Sequence, residues 1–473
     1  MYLDFVFSRV NNKKRKGKIR EDMQTKNMTK GNVLELLLKF AIPLFIGNIF
    51  QQLYSIFDTV VLGYSIGDHA IASVGATSAL AGLIINFSIG LNNGFAINIA
   101  NNFGSDNLEQ LRKSIASTIS LNLIITLVIS VLSSVFMKPI LKMMNVPEAI
   151  FDDAYIYIII LTVGMITTIM YNMFAGIMRA FGNSKSPLFY LIISTILNII
   201  LNLLFVVVFK WGIAGAAIAT VVSQGISAVL AGINVYRSYR VYLPYKEDWK
   251  FEAATIKELL SSGFAMALMF SFIDLGSVIY SSAVNNLGDV IITAHAASRR
   301  IIIMFVMVIS SIATANSTFI SQNWGAGRMD RIEEGNRKSL YLGFIWSAFT
   351  LLVAIFFGKQ FVVLITDTSN QEIINVASFN FLTHASCFIP LTIFIIYRTA
   401  LQGVGKRVAA LVSSGIELAF KIVSGFILIP AFGYNVVYFT EPVIWIVCTI
   451  YLITYSRTKK PLSVDNRTVE TNN

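Results

Sequence analysis

The sequence predicts an all-α polytopic membrane protein: twelve transmembrane helices in two six-helix lobes, related by a pseudo-two-fold axis along the membrane normal. Three observations predict it. Of the 473 residues, 55% are hydrophobic and only 13% charged, against about 25% charged in an ordinary soluble chain. The apolar residues come in blocks of about 18 or more, enough to cross a bilayer as helix. And the two halves of the chain resemble each other, with an offset of roughly 220–225 residues. The first observation excludes a soluble multidomain enzyme, because too few polar residues remain to cover a water-facing surface.

Cutting the apolar blocks at polar or glycine-bearing breaks places spans near 34–63, 70–100, 114–137, 153–178, 187–209, 213–238, 255–286, 290–321, 339–358, 373–402, 407–430 and 435–456. Loop charge orients them. Positive residues concentrate in alternate loops: the amino-terminal tail, Arg112 and Lys113, Arg179 and Lys185, then Arg237, Arg240, Lys246, Lys250 and Lys257. Arg328, Arg331, Arg337 and Lys338 follow, then Lys406 and Arg407, then Arg457, Lys459 and Lys460. The intervening loops carry few. This alternation fits an even number of spans with both termini in the cytoplasm. The net charge of +11 therefore reports topology, and nucleic acid is not an expected partner.

The repeat is carried by ordered matches. Gly67-Asp68 corresponds to Gly288-Asp289. Phe103-Gly104 with Arg112-Lys113-Ser114 corresponds to Trp324-Gly325 with Arg337-Lys338-Ser339. Arg179 to Gly182 corresponds to Gln402 to Gly405. Six spans per half give both halves the same orientation, as in transporters built from parallel repeats. The expected organisation is a basic cytoplasmic tail over 1–30, an N-lobe over 31–238, a polar linker over 239–254, a C-lobe over 255–456 and a cytoplasmic tail over 457–473. The run Lys13, Lys14, Arg15, Lys16, Lys18 and Arg20 has no apolar stretch behind it, so it reads as a lipid-touching tail rather than a signal peptide. Met23 and Met28 are alternative starts.

An ionisable group inside a membrane costs at least about 2.5–3.5 kcal/mol and is expected to face protein or a watery cavity. Asp58, flanked by Ile56, Phe57, Val60 and Val61, is such a residue. A carboxyl takes a proton more readily away from water and releases it more readily beside a cation. Asp58 is therefore the expected cation-coupling group. Gln52, Tyr54, Asn172, Asn198, Asn202 and Gln224 are its candidate polar neighbours, although an inter-helix hydrogen bond is the plainer role for each.

In the second half, Asp274 and Arg300 flank Gly288 at similar distances, roughly 18–21 Å from that turn at helical rise. An ion pair between Asp274 and Arg299 or Arg300 is expected, the plainer alternative being arginines that snorkel outward. Glu417 and Lys421 stand four apart in the favourable order, which reads as a neutralised pair. Arg398 is expected to snorkel at the cytoplasmic end. Pro43 and Pro390 are expected kinks, with bending at Pro43 coupled to Asp58. The 15 methionines and 35 phenylalanines suit an adaptable apolar wall, though packing and lipid contact explain most of them. Cys387 and Cys448 sit in apolar runs, and His69, His295 and His384 are scattered, so no metal site and no cofactor are expected.

Several motifs resemble the multidrug and toxin extrusion (MATE) family, in its MepA/DinF-like bacterial branch. The first span has Ile42-Pro43 and Gln51-Gln52-Leu53-Tyr54-Ser55-Ile56-Phe57-Asp58-Thr59, then Gly63. Arg179 to Pro187 is similar to the family's Arg-Ala-x-Gly-x-Ser-x-x-Pro. The sixth span carries Gly212-Ile213-Ala214-Gly215-Ala216-Ala217 with Thr220 and Gln224. The second half has Ser321-Gln322-Asn323-Trp324-Gly325-Ala326-Gly327, Leu401-Gln402-Gly403-Val404-Gly405 and Gly415-Ile416-Glu417-Leu418.

The resemblance covers roughly residues 31 to 456. It implies a secondary active antiporter that exports amphipathic, cationic compounds in exchange for protons or sodium by alternating access. A monomer in the bilayer is expected, and a membrane enzyme is not, because the sequence lacks clustered His, Ser-His-Asp and paired-carboxylate signals. Asn202 stands where the family often has an aspartate, so a proton-carrying role does not transfer there. The tenth span has no acid between Phe381 and Gln402, so a sodium site using one does not transfer either. The alternative is a flippase for lipid-linked saccharides from the same superfamily. It would need a basic cavity, for which Arg179, Arg299 and Arg300 are the candidates, Arg179 reading as a loop residue.

Overall fold

The computed structural model describes residues 27–459, 461 and 462. The basic run 13–20, Met23 and the end of the chain lie outside the described residues. Twelve helical spans form the fold: α1 Val33–Ile66, α2 Asp68–Gly104, α3 Leu108–Met143, α4 in two limbs, Glu148–Val163 and Met165–Ala180, α5 Lys185–Val208 and α6 Gly212–Ser238. The second set is α7 Ala253–Leu287, α8 Asp289–Gly325, α9 Met329–Thr366, α10 in two limbs, Gln371–Ser386 and Phe388–Gly403, α11 Arg407–Phe432 and α12 Asn435–Lys459. Every expected span is present, most of them longer than expected and extending past the apolar stretch.

Local chemistry sets the ends of these helices. Asn32, Asn107 and Asn370 cap α1, α3 and α10, each side-chain oxygen accepting from a backbone N–H of the first turn. The turns opening α2 and α8 are made by Gly67 at φ +95° and Gly288 at φ +94°, a region where a side chain is strained. These two glycines are the first match of the sequence repeat.

The repeat extends to irregularities that the residue types do not announce. α4 bends by 42° at Gly164 and α10 by 55° at Cys387, at equivalent places in the two lobes. Both α5 and α11 carry a π-helical turn, Leu203–Val208 and Ser424–Leu428, again at equivalent places. Such turns recur at functional sites. Pro43 does not interrupt α1, which runs unbroken through it. Pro390 sits just after the Cys387 break, where its missing N–H is harmless. The hinges of this fold are therefore in α4 and α10, not in α1.

The connection between α6 and α7 holds two short 3₁₀ turns, Arg240–Tyr242 and Lys246–Trp249. It is docked rather than loose. Arg112 donates through Nε and Nη2 to the Val241 carbonyl at 3.2 and 2.7 Å. Tyr239 and Tyr242 stack on Phe181, and Phe103 packs edge-on against Phe181 and Tyr242. We call this side of the bundle the connector end.

The lobes meet along α1 and α2 of one and α7 and α8 of the other. Glycine permits the approach. A Cβ on Gly94 would stand 2.4 Å from the Ser262 carbonyl oxygen. At the connector end the contact is reciprocal. A Cβ on Gly104 would lie 1.9 Å from the Gln322 carbonyl oxygen, and one on Gly325 would lie 1.9 Å from the Asn101 carbonyl oxygen. Each lobe thus seats a glycine on the other's backbone. Residues 27–30, assigned to the tail by sequence, pack into the same seal. Met28 is buried, its N–H donates to Gln322 Oε1 at 2.8 Å, and its carbonyl accepts from Arg331 and Asn323.

Candidate functional site

The N-lobe encloses a cavity of 340 Å³ between α1, α2, α4, α5 and α6. Its wall is largely apolar, with Ile84, Ile85, Met165 and Leu188 among the lining side chains. Two charged residues line it, Asp58 and Arg179.

Asp58 is buried on the half of α1 away from the connector end. Its carboxylate accepts from Asn202 Nδ2 at 2.8 Å and from the Tyr157 hydroxyl at 3.5 Å. Asn202 also donates to Asn198 Oδ1 at 3.1 Å, and Asn198 donates to Thr220 Oγ1 at 3.3 Å. Among the described residues no cation pairs with Asp58. An ionised carboxylate here is held by neutral dipoles alone, and dipoles compensate a buried charge less fully than an opposite charge does. The site is therefore suited to a mobile cation. Asn202 immediately precedes the π-helical turn of α5, which ties the carboxylate's strongest partner to a point where the helix is already re-registered.

The other expected neighbours distribute as follows. Tyr54, Asn172 and Gln224 line the cavity, and the Tyr54 hydroxyl and Gln224 Oε1 are buried without a hydrogen-bond partner. Asn172 donates to the Thr168 carbonyl of its own helix. Gln52 is exposed and turned away, while Gln51 and Asn48 line the wall in its place. Tyr157 and Thr220 join these expected residues as partners. Tyr157 opens no motif, and only the approach of α4 to α1 reveals it.

Arg179 is not a loop residue. It occupies the last turn of α4 and lines the cavity at its connector end, with Nη2 donating to Asn93 Oδ1 at 3.2 Å.

The C-lobe interior is built differently. Lys421, 3% exposed, places Nζ 3.0 Å from Glu417 Oε1 and 3.7 Å from Glu441 Oε1. Gly276 of α7 makes the room: a Cβ there would stand 2.8 Å from the Lys421 stem. Arg398 does not snorkel. It is buried, 3.7 Å from Glu417 Oε2, and stacks over the Phe394 ring at 4.4 Å. His384 Nε2 lies 3.5 Å from Glu441 Oε2, and its Nδ1 lies 2.8 Å from the Asn380 carbonyl. The Glu417–Lys421 pair expected from spacing is thus the middle of a chain running from α10 through α11 to α12. Glu441, which completes it, went unnoticed in sequence beside Pro442, near the start of its span.

The expected pairing of Asp274 with Arg299 or Arg300 does not occur among the described residues. Asp274 accepts from Asn86 Nδ2 of the opposite lobe at 2.8 Å. Arg300 is exposed and Arg299 half-buried. Similar depth on adjacent helices did not bring Arg299 within ion-pair distance of Asp274, and it left Arg300 exposed. Among the described residues no group of three His, Cys, Asp or Glu could hold a metal ion.

The MatE family pattern matches residues 43–204 and again 265–427, once in each lobe and over most of the chain. The chain belongs to the MatE family. It is accordingly a multi-pass membrane transporter and not an enzyme. Among similar MatE proteins, the probable multidrug resistance protein YpnP of Bacillus subtilis is 27% identical over 313 residues, covering 66% of this chain and 69% of YpnP. The probable multidrug resistance protein YoeA of the same organism is 27% identical over 390 residues, covering 80% and 82%. A solved structure described as the outward-facing conformation of a multidrug resistance MATE family transporter of the MOP superfamily superposes with a TM-score of 0.84. It is 19% identical and covers 93% of this chain and 98% of that one. It shares the MatE fold described above.

Proposed function

We propose that the protein is a secondary active antiporter that exports amphipathic, cationic compounds in exchange for protons or sodium. The observation that carries this reading is Asp58: a buried carboxylate on a cavity wall, held by neutral donors, with no fixed cation beside it. Such a group is occupied in turn by the coupling cation and by a cationic substrate, because either one removes the cost of its isolated charge. The seal at Gly104 and Gly325 closes one end of the lobe interface, and rocking of the lobes about it supplies alternating access. We place the connector end in the cytoplasm of a bacterial cell, because Lys and Arg concentrate there. The protein acts as a monomer in the bilayer.

A saccharide-diphosphate flippase is the second reading. It calls for a broad basic cavity, and Arg179 is the single cation of the N-lobe lining. The decisive experiment uses purified protein in liposomes, measuring dye export against imposed proton or sodium gradients. Wild type should export under one of them. Asp58→Asn should insert and purify normally but lose gradient-driven export. Wild-type rates in that variant would sink the proposal.

A further inference from the structure

Among the described residues the buried cations are well compensated, and half-buried Arg179 is not. Lys421 and Arg398 each meet Glu417. Arg331 lacks an acid but donates to three oxygens, Asn323 Oδ1 and the Gly31 and Met28 carbonyls. Arg179 has one acceptor, Asn93 Oδ1, and among the described residues no carboxylate lies within ion-pair distance. A guanidinium carries five N–H donors and stays charged under all ordinary conditions. The remaining donors of Arg179 border the cavity, and a partly desolvated charge without a counter-ion is costly. Asp58 cannot serve. Its partner Tyr157 stands 22 residues before Arg179 on α4, about 30 Å along the helix at 1.5 Å per residue.

The fold itself does not call for this charge. At the equivalent place in the C-lobe stands Gln402, a neutral side chain 3% exposed whose Nε2 reaches the Met269 sulfur. The two lobes thus differ at this position, and the one with the cavity carries the guanidinium. It also lies next to the seal: the carbonyl of Ala180, the following residue, accepts from Gln322 Nε2 at 2.8 Å, and Gly104 packs on the backbone of that same Gln322.

We propose that Arg179 is an oxyanion subsite at the connector end of the cavity, and that the substrate range includes amphiphiles bearing a carboxylate or phosphate. The oxyanion takes the free donors of Arg179, with a bidentate geometry available to it. The apolar remainder lies along Met165, Leu188 and Leu191. This rests on the reading of the N-lobe cavity as the substrate path, and it adds a second recognition point about one cavity length from Asp58.

The test compares two probes that differ in one group, a zwitterionic rhodamine with a free carboxylate and its methyl ester. Binding to the full-length protein in detergent is followed by fluorescence anisotropy. Wild type should prefer the acid. Arg179→Gln, which copies the C-lobe residue, should weaken the acid at least about tenfold and the ester less than about twofold. Arg179→Lys should keep part of the preference. Equal losses for both dyes would overturn the proposal, assigning Arg179 a structural role, and so would no change for either. Export of the ester by wild type and its loss in Asp58→Asn depend on the antiport reading alone, so the two can fail separately. Competition for the acid site by phosphatidylglycerol, but not by inorganic phosphate, would assign the oxyanion to a lipid headgroup. The reverse would assign it to a soluble substrate.

Discussion

The two lobes share a backbone plan and fill it with opposite electrostatics. Both have a broken fourth helix, a π-helical turn in the fifth, and a glycine seated on the other lobe. In the N-lobe this plan surrounds a cavity whose carboxylate meets only amide and hydroxyl donors. In the C-lobe the same space is occupied by Arg398, Glu417, Lys421, Glu441 and His384, in contact one with the next. Isolated charge is expensive and seeks a partner that can come and go. Paired charge is already satisfied and resists rearrangement. On the antiport reading proposed above, ion and substrate exchange at the N-lobe, against a C-lobe whose interior charges are already paired.

The largest effect should come from breaking the C-lobe balance. Lys421→Met leaves Glu441 with His384 as its one partner within ion-pair distance among the described residues, and removes the closest cation from Glu417. Removal of one partner from a buried pair costs about 3–5 kcal/mol. The thermal midpoint of the detergent-solubilised protein should fall sharply, with loss of yield. Lys421→Met combined with Glu441→Gln removes one charge of each sign and leaves Arg398–Glu417 in place, so it should recover most of the loss. A double variant as unstable as the sum of its parts would mean that contact geometry matters more than balance. Asp58→Asn is the matching change in the N-lobe, and it should alter stability by less than about 1 kcal/mol, because a carboxamide suits a shell of neutral partners.

Next in size is the seal, where the lobes are alike instead of opposed. Gly104→Ala and Gly325→Ala each place a methyl group 1.9 Å from a carbonyl oxygen of the other lobe, an overpacking of about 1–3 kcal/mol. The strain is relieved by parting the lobes at the connector end. Spin labels at Ser105 and Arg328, in a background lacking Cys387 and Cys448, should report a longer distance in both variants. Because the contacts are reciprocal, the two shifts should be similar. A shift in one variant alone would show that a single lobe bears the gate.

The sequence carries the twelve spans, the repeat and Asp58, because these depend on segment length, hydropathy and residue type. What it does not carry depends on helix rotation and on backbone geometry. Gly164 is a weak breaker that many helices tolerate and Cys387 carries no break signal, whereas Pro43 looks like a break and is not. Asp274 and Arg299 share a depth without reaching ion-pair distance. Arg398 reads as a terminal arginine free to reach water until α11 is seen to place Glu417 against it. Tyr157 and Glu441 became visible only when α4 and α12 closed on α1 and α11.

The smallest effects should grade the shell around Asp58 and so test whether neutral partners are individually expendable. Asn202 donates at 2.8 Å and Tyr157 at 3.5 Å, the latter at the outer limit for a hydrogen bond. Asn202→Ala should cost the carboxylate form about 1.5 kcal/mol, the low end for a bond to a charged group, and slow gradient-driven export roughly tenfold. Tyr157→Phe keeps the ring and removes a weak donor, so export should fall by less than about threefold, near 0.6 kcal/mol. Both are read in the same liposome assay, with Asp58→Asn as the floor. If Tyr157→Phe reached that floor, the phenol would be part of the cation's own coordination. The N-lobe site would then consist of a fixed pair, closer in kind to the C-lobe chain than the present geometry shows.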